Sequence, residues 1–311
     1  MKRISIIIII ALSITKIAAQ SPAYTESEIQ INPLIDGTLL IPNSKEKPEL
    51  VIIIAGSGPT DRNGNQNFLK NNNLKKLATA LTDKGIATFR YDKRIVKQIR
   101  RGNVDLSITF NDFVTDAKSV ISYFKATEQY SKIYVAGHSQ GSLVGLLASE
   151  NNTDGFISIS GAGQNFGDVI VEQINNTARQ FIDDTERVIK TLKAGKTTTD
   201  YPAQLGAIFN IETQPFIISW LKYNPTEIIS TLEIPILIIN GTKDLQVSEN
   251  EAKLLANANT SATLKLIENM NHVLFIIEGD DLENSKSYNE AFRKISSELI
   301  DSIVTFIESN R

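Results

Sequence analysis

Apolar positions along the chain follow two alternating rhythms. Short β-branched runs recur at Leu50–Ile54, Ile86–Tyr91, Lys132–Ala136, Phe156–Ser160, Ile234–Ile239 and Thr263–Ile267. Such runs read as buried strands. Between them, apolar residues fall three and four apart, the spacing of a helix with one buried face. This predicts helices over 74–84, 110–126, 142–150 and about 285–309, the first stopped by Gly85 and the second started by Asn111 or Asp112. Strands alternating with helices imply a mostly parallel sheet covered on both faces, an α/β architecture. Two further runs, 29–31 and 38–41, flank Asp36-Gly37 and predict a hairpin turning there. Residues 92–109 read as a long, basic, irregular connection. The strand rhythm stops between 161 and 231, where the pattern is helical throughout. That stretch reads as an insertion above the sheet.

One junction stands out. The run Lys132-Ile133-Tyr134-Val135-Ala136 leads into Gly137-His138-Ser139-Gln140-Gly141, and an apolar helical stretch follows. Strand, Gly-x-Ser-x-Gly and helix in that order form a nucleophile elbow, in which a sharp turn exposes the serine hydroxyl. A serine hydroxyl needs a base to take its proton, and the base needs an orienting carboxylate. The chain has two histidines. His138 adjoins Ser139, so its side chain should point away from the serine and serve packing or polar support. That leaves His272, in the loop after a strand, as the base. Asp244 directly follows the 236–239 strand, at the C-terminal edge where open α/β sheets gather their sites, and is the candidate acid. Glu268 and Glu278 are rivals. The oxyanion donors should be the backbone N–H of Gln140, and one from the glycine-rich loop after Leu50–Ile54, at Ser57 or Gly58. That loop lacks the Gly-Lys-Ser/Thr of a phosphate-binding loop. Asp61, Asn63 and Asn65 alternate as at the start of a calcium loop, but no glutamate closes the pattern.

Composition narrows the classes. The 311 residues are 41% hydrophobic and 22% charged, enough for one large domain with a core. A net charge of −3 speaks against nucleic acid as a partner. With no cysteine there is no disulfide, thiolate nucleophile or cysteine-based metal site. Residues 1–19 read as an export signal: Lys2 and Arg3, then an apolar run with five consecutive isoleucines, then a small-residue site near Ala19. The expectation is an exported protein, periplasmic or secreted, with residues 20–311 forming one domain and no membrane partner beyond the signal.

Several longer stretches carry a resemblance. They are Gly56-Ser57-Gly58-Pro59-Thr60-Asp61-Arg62-Asn63-Gly64-Asn65, Arg90-Tyr91-Asp92-Lys93-Arg94, the Ser139 motif, Gln214 to Tyr223, Gly241 to Val247, and Met270-Asn271-His272-Val273-Leu274. In this order they resemble the α/β-hydrolase superfamily, and within it exported bacterial serine carboxylesterases related to the serine aminopeptidase (S33) type. The sequence departs from that group at Ile95-Val96, where the basic motif usually runs into glycine. The resemblance implies a Ser139–His272–Asp244 triad, an oxyanion hole in the 56–58 loop, a helical cap over about 163–231 and no cofactor or metal. The reading is cleavage of small carboxylic esters, and the cap suggests a small or medium acyl pocket lined by Phe209, Phe216 and Trp220, aromatics that serve equally well as the cap's own core. Two alternatives stay open. One is an aminopeptidase, which would need an acidic site for the substrate ammonium, from Glu172, Asp183, Asp184 or Glu186. The other is a catalytically silent binding protein on the same fold. A dehalogenase would want aspartate at position 139.

Overall fold

The structure, a computed structural model, describes residues 23–311. The export segment expected over residues 1–19 lies outside the described residues. The chain runs β1 (Tyr24–Gln30), β2 (Asp36–Pro42), β3 (Leu50–Ile54), α1 (Asn73–Asp83), β4 (Ala87–Tyr91), α2 (Arg94–Arg100), α3 (Phe110–Thr127), β5 (Ile133–His138), α4 (Gln140–Ser149) and β6 (Gly155–Ile159). There follow α5 (Phe166–Thr177), α6 (Ile182–Lys193), α7 (Gly206–Phe209), α8 (Gln214–Trp220) and α9 (Pro225–Ile229). The chain then returns to the sheet with β7 (Ile236–Gly241), α10 (Glu249–Ala258), β8 (Thr263–Ile267), α11 (Asp281–Ser287) and α12 (Ser297–Ser309).

The strands form one sheet in the order β1-β2-β4-β3-β5-β6-β7-β8. β2 pairs antiparallel with both β1 and β4, and all later pairings are parallel. Successive side chains of a strand point to opposite faces, and the core divides accordingly. Ile52, Ile54, Val135, Phe156 and Ile238 pack under α3, α4, α9 and α10. Val51, Ile53, Ala136, Ile157 and Ile239 pack under α1 and α12. The insertion between β6 and β7 closes its own apolar cluster, from Ile170 to Leu221. All parallel strands end on one edge, so the loops after β3, β4, β5, β7 and β8 meet there.

Four elements differ from the sequence reading, each for a local reason. The β1–β2 turn is at 31–35, where Asn32 Oδ1 accepts the Leu34 and Ile35 amides. Gly37 lies inside β2 instead, because any Cβ there would strike the Phe89 ring and the Arg90 carbonyl of the neighbouring strand. The basic connection contains α2, whose cations are matched from outside the helix: Arg94 by Asp112 and Asp116, Lys97 by Asp36, Arg100 by Asp92. Ile95-Val96, the departure from the family motif, lies in its first turn. The cap of α3 is Thr109, in a reciprocal capping box with Asp112. The predicted 285–309 helix is two helices. Between them the Ser296 amide bonds the Leu274 carbonyl, and the Ser296 hydroxyl caps α12.

Candidate active site

β5 delivers Ser139 to the C-terminal edge of the sheet. Its backbone is left-handed, with φ 55° and ψ −123°. A residue with a Cβ holds such a conformation at a cost of about 1–3 kcal/mol, and does so only where its surroundings fix it. Here the Ser139 amide bonds the Ile159 carbonyl of β6 at 2.9 Å, and its carbonyl accepts the Ser142 amide at 2.9 Å. The flanking glycines permit the turn. A Cβ on Gly141 would lie 2.7 Å from the Ala55 carbonyl oxygen and closer still to that of Ile54, and one on Gly137 would strike the Gly141 carbonyl. Strand, elbow and helix pass within backbone contact of each other. Gln140 opens α4, where first-turn amides have no intrahelical acceptor.

His272 and Asp244 arrive from β8 and β7. His272 Nδ1 lies 2.8 Å from Asp244 Oδ2, and both side chains are buried. Asp244 Oδ1 accepts the Gln246 and Val247 amides at 2.8 and 2.9 Å. Burial pushes the Asp244 carboxyl up, but the imidazole and these three hydrogen bonds outweigh it and hold the group below the ordinary carboxylate range. The rivals Glu268 and Glu278 are exposed. The two loops are tied through residues that sequence reasoning passed over. Asn271 donates to Asn284 Oδ1 at 2.9 Å and to the Ser287 hydroxyl at 2.8 Å, and Asn284 donates to the Lys243 carbonyl at 2.7 Å. Only Asn271, beside the histidine, carried any sequence signal. Its partners lie on a helix that contributes nothing else to the pair.

His138 also turns out to matter. Its Nε2 lies 2.8 Å from the His272 carbonyl oxygen, and the two rings are 4.9 Å apart between centroids. A carbonyl can only accept, so Nε2 carries the proton and donates it. Burial drives the His138 imidazole down to about 3, with the neighbouring His272 adding to the effect, so it is neutral at ordinary pH. The residue before Ser139 therefore braces the backbone of the candidate base.

Ser139 and His272 line one small pocket of about 90 Å³. Its other walls come from the loop after β3 and from beyond β8: Gly56, Ser57, Thr60, Gln66, Asn71, Gln246 and Tyr288 among them. None of the lining residues is Asp, Glu, Lys or Arg. The β3 loop is ordered from within. Asp61 Oδ1 accepts the Asn63 and Asn65 amides, and Arg62 bonds Asp92 through both its amide and its guanidinium. Asp61 thus serves as a turn former, and among the described residues no three His, Cys, Asp or Glu come together as metal ligands.

Of the oxyanion candidates, Ser57 lines this pocket and Gly58 does not. Gly58 takes φ 70° and faces the Gln66 side chain. Gly56 is nearer the serine, since a Cβ there would stand 3.1 Å from Ser139 Cβ. The three aromatics expected in the pocket are elsewhere. Phe209 is fully buried in the core of the insertion. Trp220 is stacked on Phe166 at 3.8 Å and on Phe110 at 5.5 Å, and Phe216 packs on Phe113 at 5.3 Å. They seat the insertion on α3, where the Ser219 hydroxyl also receives the Phe110 amide at 2.8 Å. The cause is the N-terminus of α3, whose two phenylalanines present an apolar face to α8.

The serine aminopeptidase S33 family model matches residues 70–205, a span that includes Ser139. Esterase EstD of Thermotoga maritima is 25% identical over 266 residues, 83% of this chain. The chain spans 62% of the length of that curated relative. Among solved structures, Est1E from Butyrivibrio proteoclasticus matches with a TM-score of 0.55 at 17% identity, over 91% of this chain and 99% of that one. The Pyrococcus furiosus esterase PF2001 matches with a TM-score of 0.54 at 14% identity, over 92% and 90%. These two likenesses concern the fold.

Proposed function

We propose that this chain, which has the α/β-hydrolase fold, is a serine hydrolase of that superfamily that cleaves small carboxylic esters through an acyl-enzyme on Ser139. The observation that carries this is the strained Ser139 sharing a pocket with a His272 that is hydrogen-bonded to buried Asp244. In the proposed reaction His272 Nε2 takes the Ser139 proton as Oγ attacks the carbonyl carbon. Asp244 holds Nδ1–H and stabilises the imidazolium that forms. The Gln140 and Ser57 N–H groups receive the oxyanion. His272 returns the proton to the leaving alkoxide, and water repeats the sequence to free the acid and regenerate Ser139.

The pocket argues for the substrate class. It is small and lined without charged side chains, which supports a short, uncharged acyl group. The family model's name favours a second reading, an aminopeptidase. An aminopeptidase must hold an ammonium near the scissile bond, and no carboxylate lines this pocket. None of the acids considered for that purpose lines it: Glu172 accepts from Gln164, Asp184 pairs with Arg187, and Asp183 and Glu186 are exposed. The insertion over 163–231 is proposed as a cap whose aromatics hold it to the body. The pattern of residues 1–19 supports export as part of the same proposal.

The test is hydrolysis of p-nitrophenyl esters from acetate to decanoate, beside aminoacyl p-nitroanilides, by the wild-type protein and Ser139→Ala. Turnover concentrated on the shortest esters and abolished in Ser139→Ala is expected. Cleavage of the anilides in preference to the esters supports the peptidase, and cleavage of neither series rejects both readings.

A further inference from the structure

Lys93 lies outside the proposed triad, on the loop after β4. In the parallel register of β3 and β4, Ile53 stands opposite Arg90. Continued past the strand ends, the same register sets Lys93 beside Gly56. Lys93 is buried, 4% exposed, and its Nζ donates to the Gly56 carbonyl oxygen. The ammonium also lies 5.4 Å from the centroid of the Phe113 ring. Among the described residues no carboxylate pairs with it. Asp92 bonds Arg62 and Arg100, and Asp116 is held by Arg94. Burial alone brings the Lys93 ammonium down to about 7. A buried cation without a counter-charge is costly, so Lys93 stands between its charged and neutral forms near neutrality, and in either form its Nζ can donate to the Gly56 carbonyl.

That carbonyl belongs to Gly56, whose backbone comes close to Ser139: a Cβ on it would stand 3.1 Å from Ser139 Cβ. A trans peptide is planar, with C=O and the following N–H antiparallel. Holding the Gly56 oxygen on one edge therefore sets the direction of the Ser57 N–H on the other. Ser57 lines the Ser139 pocket, and its N–H has no hydrogen-bond acceptor among the described residues. A charge-assisted hydrogen bond on the carbonyl also polarises the peptide and strengthens its N–H as a donor.

We propose that Lys93 is a positioning residue for the oxyanion site, which fixes and polarises the Gly56–Ser57 peptide so that the Ser57 N–H meets the developing negative oxygen. The proposal rests on the ester-hydrolase reading above. It distinguishes Lys93 from a lysine retained for packing, because its effect must fall on the transition state and spare substrate binding.

The experiment uses the wild-type protein, Lys93→Met and Lys93→Gln. It measures kcat and KM on p-nitrophenyl acetate, the inhibition constant of a trifluoromethyl ketone, and the thermal midpoint. Methionine matches the stem of lysine without its donor, and glutamine restores a donor. Lys93→Met should fold with an unchanged or higher midpoint, since an unpaired buried cation is gone. Its kcat should fall about 10- to 100-fold with KM within about threefold of wild type, short of the loss of a whole oxyanion donor. Affinity for the ketone, which forms a tetrahedral oxyanion on Ser139, should fall in parallel with kcat. Lys93→Gln should recover part of both. A folded Lys93→Met with near wild-type kcat, or one whose kcat falls while ketone affinity holds, overturns the proposal. If Lys93→Met does not fold, Lys93→Gln decides by the same pair of readings. A wild-type protein inert toward every ester and the ketone overturns the ester-hydrolase reading, and the role of Lys93 falls with it. An active wild type with an unaffected variant overturns the role of Lys93 alone.

Discussion

Replacing Asp244 by asparagine tests the arrangement at its most determined point. Asp244 Oδ1 accepts two backbone amides, from Gln246 and Val247, and Oδ2 accepts His272 Nδ1–H. An asparagine oxygen can satisfy the two amides only by occupying the Oδ1 position. The reverse orientation would set an NH₂ against two N–H donors and lose two buried hydrogen bonds, about 1 kcal/mol each before the repulsion is added. The NH₂ therefore faces His272 Nδ1, which must become an acceptor. The imidazole proton moves to Nε2, the nitrogen proposed to take the Ser139 proton, and the base is blocked. The imidazolium also loses its counter-charge. Together these should lower kcat about 10³- to 10⁴-fold, which is about 4–5.5 kcal/mol of transition-state stabilisation. KM should change little, since Asp244 is walled off from the pocket by His272. Steady-state hydrolysis of p-nitrophenyl acetate at saturation, with circular dichroism to establish folding, is the assay. A folded Asp244→Asn variant that keeps more than a tenth of wild-type kcat would refute the assignment of Asp244 as the orienting acid.

Three further outcomes follow from the same geometry. Gly141→Ala forces a Cβ against the Ala55 and Ile54 carbonyl oxygens, so it should destabilise the protein by about 3 kcal/mol or more and abolish turnover; denaturant unfolding at wild-type strength would contradict the backbone contact. His138 is held down to about 3 in the folded protein, below its ordinary value of 6.5, so the unfolded chain binds the extra proton between those values. Its contribution is complete above pH 6.5 and is lost on acidification toward pH 3, by about 1.4 kcal/mol per pH unit. His138→Gln should flatten this part of the stability profile, and an unchanged slope would show that His138 is not buried neutral. Phe209→Ala should cost about 3–5 kcal/mol as a cavity in the insertion core while leaving the ester chain-length profile unchanged; a shifted profile would return Phe209 to the pocket.

How much of this was legible in the sequence depended on the range of the determining contact. The parallel strands and the elbow are set by residues adjacent in the chain, and Ser139, Asp244 and His272 stand where strand ends put them. The loop after β3 was legible as a loop, but which of Ser57 and Gly58 lines the Ser139 pocket was not. It depends on Gln66 folding back to bond the Thr60 hydroxyl and the Ser57 carbonyl, which leaves Gly58 facing Gln66. The α2 helix was hidden for a similar reason. Its basic run looks like a solvated connection until Asp36, Asp92, Asp112 and Asp116 are brought to it from other elements.

The aromatic residues show where such reading reaches its limit. Phe216 and Trp220 stand on a helix with one apolar face, and periodicity identifies the face without naming what covers it. A pocket and a partner helix make the same demand on the sequence. Here the partner was Phe110 and Phe113, more than a hundred residues earlier, and the apolar face was spent on seating the insertion. The pocket walls instead hold small and neutral polar side chains from segments that no local pattern joins, as when the Asn71 side chain bonds the Tyr288 carbonyl 217 residues away. Such a wall leaves no periodic trace, because most of its contributors are loop residues and the others, Asn73 and His138, stand at the ends of their elements. Such a site is therefore half readable: the three strand-end residues on which the proposed reaction rests can be picked out along the chain, whereas the size and polarity of what enters require the fold.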